Sequence, residues 1–166
     1  MTRPNRFALG IAAALAAGAV AVPAVAGVGL PDASKEHWTA HTITEGHLAQ
    51  INAKGEGRFA VYCTPGDKKG AVFYRTPAAA RDEVRADGDK LDVVFTFDGT
   101  EKIERTMTWN EAGQYWTDPF GPNSSLAEAM KRYYDVRINV KDHPGVESDF
   151  TLKDSWRSIE AMFAGC

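Results

Sequence analysis

KLDVVFTFDGTEKIERTMTWN, residues 90–110, alternates apolar and polar side chains on both sides of an Asp-Gly pair. Leu91, Val93, Phe95 and Phe97 fall on one face, and Ile103, Met107 and Trp109 share a face after the turn. A period of two is that of a strand wetted on one side only, and Asp98-Gly99 supplies the positive-φ residues of a tight hairpin. A second turn, Asn110 to Gly113, leads into Gln114-Tyr115-Trp116-Thr117 and extends the hairpin into an antiparallel meander.

Outward from the meander the chain keeps this character. In GRFAVYCT, residues 57–64, Phe59, Val61 and Cys63 face one way and Arg58, Ala60, Tyr62 and Thr64 the other. Pro65-Gly66-Asp67 turns this strand into GAVFYRT, residues 70–76. His37 to Ile43 reads as a weak strand, and YDVRINV, residues 134–140, as a strong one with Tyr134, Val136, Ile138 and Val140 inward. His143-Pro144-Gly145 then turns the chain into SDFTL, while TPAAARDEV, residues 76–84, suits one or two helical turns or a loop.

Two segments carry helical spacing. Ser125 and Glu128 have capping-box spacing, followed by an inward stripe of Leu126, Met130 and Tyr133 or Tyr134. At the C-terminus Trp156, Ile159 and Phe163 recur at three- and four-residue intervals beside Met162. Asp154 or Ser155 can cap that helix, and Gly165 suits the left-handed position that ends one. Six to eight strands with two short helices predict a mainly β fold: an antiparallel β-sandwich or half-open barrel, the last helix at the C-terminus.

The N-terminal segment has a different logic. MTRPNRF carries two arginines and no acid, and the apolar run ALGIAAALAAGAVAV, Pro23 and Ala24-Val25-Ala26 follow before Gly27. A positive stretch, an apolar core and a small-x-small site predict a signal peptide over residues 1–26, cleaved after Ala26. A 27–36 linker and a single β-rich domain over 37–166 are expected to follow. Periplasmic or secreted localisation is the expectation. Cleavage leaves 140 of the 166 residues and no later stretch of membrane-spanning length. Arg3 and Arg6 leave with it, so the 19 basic residues become 17 against 22 acidic ones. Without a basic stripe, nucleic acid is excluded as the expected partner.

Export places Cys63 and Cys166 in an oxidising compartment, where an even count pairs. One intramolecular bridge is available, Cys63 to Cys166, and it would staple the last helix onto the sheet; an intermolecular bond is the alternative.

Catalytic readings find little chemistry. His37, His41, Glu45 and His47 form the one local cluster of metal-ligand types. A strand puts His37 and His41 about 13 Å apart at ~3.3 Å per residue, too far to share an ion. Serines 124, 125, 148, 155 and 158 sit near helix starts or loops, without a nucleophile elbow. The carboxylate pairs Asp87/Asp89 and Asp82/Glu83 lie in polar turns, and no glycine-rich phosphate loop is present. No cofactor or metal is expected. Trp109, Tyr115, Trp116 and Phe120, with Pro122, cluster at the meander end, either as a lid on the core or as a recognition surface. Lys68, Lys69 and Arg75 make a small basic spot on a hairpin.

The early Trp-containing strand, GRFAVYC, FTFDG, SSLAEAMKRY and the terminal FTLKDSWRSIEAMFAGC together resemble small exported proteobacterial proteins of the VasI/TagO-like, type VI secretion-associated family. A looser similarity is to invasion-associated locus B proteins. The resemblance spans residues 36–166 as an order of elements and implies a periplasmic β-rich domain with a strand-to-terminus disulfide, without a catalytic motif. The expectation is an exported, non-enzymatic envelope accessory or binding protein, monomeric, with an envelope or secreted protein partner and an association with a secretion system. The alternatives are a secreted enzyme inhibitor and a metal-dependent hydrolase using His37, His41 and His47.

Overall fold

A computed structural model describes residues 30–66, 70–77 and 87–166. The expected signal peptide, the Lys68–Lys69 spot and most of the 76–84 segment lie outside the described residues. Among the described residues the chain forms nine strands and two helices: β1 (Thr39–Ile43), β2 (Gly46–Asn52), β3 (Arg58–Cys63), β4 (Gly70–Arg75), β5 (Lys90–Phe97), β6 (Glu101–Asn110), β7 (Tyr115–Phe120), α1 (Ser125–Arg132), β8 (Asp135–Val140), β9 (Glu147–Thr151) and α2 (Ser155–Ala164). The strands make one antiparallel sheet in the order β1-β2-β3-β4-β7-β6-β5-β8-β9, which is not closed.

The alternating strands pair with their dry faces in register. Val93 lies opposite Val140, Phe95 opposite Ile138, and Phe97 opposite Val136, and all six are buried. Pro119 lacks an N–H for a ladder, yet it sits within β7. It is tolerated because β6 pairs only with residues 115–117 there, so Pro119 faces β4 alone.

The sheet curls onto itself. Phe59 of β3 and Phe150 of β9 stand six strand positions apart, roughly 28 Å in a flat sheet, yet their rings are 5.6 Å apart. Phe59 also meets Phe95 at 5.7 Å and Trp38 at 5.3 Å, so the inner faces of both halves form one core. Isolated bonds span the remaining gap. The Trp38 amide donates to the Lys153 carbonyl (3.0 Å), its indole to Thr151 (2.9 Å), and the Lys54 amide to Asp149 (2.9 Å). Gly57 is required near this gap, since its φ is +118° and a Cβ would lie 2.7 Å from Ser148 Oγ.

Four local readings are corrected. Strand β2 adds a ninth element, missed because its burial is nearly continuous and hides any alternation. The outer face of β3 is not wet: Ala60 and Tyr62 are buried with Leu48, Ala71, Phe73 and Tyr115 in a second cluster, against which Leu30 packs. Of the segment read as linker, residues 30–36 are described and are docked there, with Gln50 donating to Pro31 (2.8 Å) and Asn52 to Ala33 (2.7 Å). The cap of α1 is Ser124, whose hydroxyl accepts from Ala127 N–H at 3.2 Å; Ser125 lies inside the helix, so the capping box is absent.

Helix α2 lies across β1, β2 and β3, with Ile159 and Met162 buried and Trp156 and Phe163 flanking them. Neither predicted cap acts through its side chain: Asp154 makes no capping bond, and Ser155 donates to Met130 of α1 at 3.0 Å. Gly165 is not left-handed, with φ −85° and ψ −13°. Glycine is needed because a Cβ would fall within the His47 imidazole. Cys63 and Cys166 form the disulfide, with Cα atoms 6.2 Å apart, inside the range an unforced bridge uses.

Candidate ligand groove

The residues singled out from sequence are not assembled into a surface. Trp109, Tyr115, Trp116 and Phe120 are all buried. Trp109 and Trp116 are cross-strand partners with rings 5.1 Å apart, Phe120 stacks on Phe163 of α2 at 6.2 Å, and Tyr115 stacks on Phe73 at 4.3 Å. Of the two roles open to these four side chains, the structure shows the buried one: they are core, not an exposed recognition surface.

The histidines do not converge. His37 meets Ser34 Oγ at 3.4 Å, His41 meets Thr39 Oγ1 at 2.9 Å, and His47 meets Thr42 Oγ1 at 3.3 Å while packing on Gly165. Among the described residues no group of three His, Cys, Asp or Glu side chains could hold a metal. The one carboxyl there displaced upward, by burial, is Asp118; it faces Arg105 at 3.6 Å across the β6–β7 wall, an ion pair rather than an acid–base couple.

A groove of about 640 Å³ opens where α1 ends and α2 begins, within the size range of small-ligand sites. Its rim starts from a break in periodicity. Helix α1 ends at Tyr133, whose ring packs on Phe97 at 5.7 Å and whose hydroxyl donates to Glu101 at 2.8 Å. Strand β8 begins at Asp135, which leaves Tyr134 between the two elements and 80% exposed, so it is not inward as read from the sequence.

The Tyr134 backbone is held from both sides. Its N–H donates to the Asp98 carboxylate (3.1 Å), and its carbonyl accepts from Leu152 N–H (2.6 Å) and the Thr151 hydroxyl (3.4 Å). Asp98, at φ 43° in the β5–β6 turn, thus buttresses the loop as well as turning the hairpin. The exposed ring stands on an ordered backbone.

Cations surround it. Lys131 lies 3.9 Å from the centroid of Trp156 and 2.7 Å from Glu128, and Arg132 is 3.7 Å from Glu101. Lys153 and Arg157 are exposed and make no ion pair among the described residues. Asp135, the nearest acid on β8, pairs with Lys54 at 3.4 Å. In a smaller depression beside it, about 420 Å³, both cations are paired, Lys54 with Asp135 and Arg137 with Asp149 at 2.7 Å.

Sequence reasoning missed this groove. Tyr134 fits both the helical stripe and the strand face, and a residue claimed by two periods at a helix–strand junction can satisfy neither. No protein-family model, curated protein or solved structure matches the chain. No helix of the described residues is long and apolar enough to cross a membrane, and the disulfide is compatible with an extracellular or periplasmic protein.

Proposed function

We propose that the chain is an exported, non-enzymatic accessory or binding module of the cell envelope, periplasmic or secreted, that engages an envelope or secreted protein. The carrying observation is Tyr134, 80% exposed on a hydrogen-bonded backbone beside two cations without acidic partners. An ordered aromatic loses little freedom on binding, and Tyr, Trp and Arg dominate interface hot spots. The signal-like residues 1–26 and the Cys63–Cys166 bond support export. The resemblance to VasI/TagO-like proteins points to a component of a secretion apparatus as the partner.

The test is photo-crosslinking. A photoreactive residue replacing Tyr134 in the disulfide-bonded protein, incubated with envelope extract, is expected to trap one dominant protein, absent when it replaces exposed Glu160 instead. Identical products from both positions, or zinc-dependent hydrolytic turnover lost in His41→Ala, overturn the reading.

A further inference from the structure

We infer that the groove between α1 and α2 binds an extended acidic peptide segment carrying one large apolar side chain; this rests on the binding-module reading above. The groove contains four basic residues, Lys131, Arg132, Lys153 and Arg157, against Asp135 and Asp154. The chain as a whole is acidic, with formal net charge −3. A local positive patch on a negative molecule steers anions to one place and repels them elsewhere.

The division of labour among the cations is specific. Lys131 and Arg132 are already paired, with Glu128 and Glu101. Lys153 and Arg157 flank the start of α2 without acidic partners and are available to carboxylates. Their aliphatic stems, with the Tyr134 ring, supply apolar area between the charges.

Three anionic occupants meet such a site differently. An acyl chain needs an enclosed tunnel, and this groove is open. An acidic polysaccharide stacks sugar rings on flat aromatic faces, but the Lys131 ammonium lies over the Trp156 ring and leaves Tyr134 as the one exposed platform. An acidic peptide with one large apolar side chain needs one apolar contact point flanked by cations, which is what Tyr134, Lys153 and Arg157 present.

The experiment selects a random dodecapeptide phage library against the disulfide-bonded protein, then measures the enriched peptides by fluorescence anisotropy. Enrichment of Asp/Glu-rich peptides with a Leu, Phe or Trp is expected. Their affinity should fall about tenfold or more in Lys153→Glu/Arg157→Glu and in Tyr134→Ala, and several-fold between about 50 and 500 mM salt. Enriched peptides without acidic bias, no enrichment at all, or equal affinity in the charge-reversed variant overturn the proposal. So does saturable, Lys153- and Arg157-dependent binding to phosphatidylglycerol vesicles or polygalacturonate with no peptide selected. If the charge-reversed variant still traps the envelope partner by a crosslink at another position, the binding-module reading stands and only the groove assignment fails.

Discussion

The Tyr74 hydroxyl lies 3.0 Å from Ser148 Oγ, joining β4 to β9 through the interior of the curled sheet. Ser148 donates onward to the Glu56 carbonyl at 3.1 Å, so Tyr74 supplies the proton for the first bond of a short relay. This pair ties the two halves of the fold where no strand ladder does.

Burial pushes the Tyr74 hydroxyl up to about 12. The folded value therefore exceeds the unfolded one, and the fold favours the neutral form. The resulting stability is complete below about pH 10 and is lost as pH rises toward 12, by about 2–3 kcal/mol. Tyr74→Phe should cost about 1 kcal/mol at neutral pH and flatten the decline above about pH 10. Urea midpoints across that range check this; parallel declines in both proteins contradict it.

Reducing the Cys63–Cys166 bond, or replacing Cys166 by Ser, should lower stability by about 3–5 kcal/mol, since the bridge closes a separation of 103 residues. Denaturant titration with and without reductant measures the loss. Limited proteolysis should cut first near α2, the element the bridge fastens to β3.

Gly165→Ala should destabilise by about 1–3 kcal/mol because the new methyl meets the His47 ring. In a His47→Ala background the same change should cost only a few tenths, a coupling that a double-mutant cycle reads directly. Additive effects would locate the role of Gly165 in the backbone instead.

Ser124→Ala should cost about 1 kcal/mol by leaving the Ala127 amide without its acceptor, whereas Ser125→Ala should be near neutral. Thermal midpoints of the two variants separate the cap from its neighbour.

Strands wetted on one face were legible in the sequence. β5, β6 and β8 alternate because one side meets water, so Leu91 to Phe97 and Val136 to Val140 declare their inward faces. Strands β2, β3 and β4 lie where both faces are covered, and burial of Leu48, Ala60 and Phe73 in a second cluster erases the contrast. The disulfide was legible in the even cysteine count and the export expected from residues 1–26. The candidate surface did not, because an aromatic residue reads alike in a core or on a rim: Phe120 is buried by Phe163 of α2, a contact made by a residue 43 positions later. Exposure of Tyr134 depends on where α1 stops, and a cap shifted by one residue moves every later position on the helix.

The bonds from Trp38 to the β9 edge bear on how the chain reaches this fold at all. Trp38 and Thr151 are 113 residues apart, and a contact of that span must follow a costly loop closure, so it belongs to the late, slow part of folding. Until it forms, β9 is an open edge whose free acceptors could template a strand from another copy. Folding therefore competes with intermolecular pairing until Trp38 and Lys54 occupy the Lys153, Thr151 and Asp149 carbonyls along this seam.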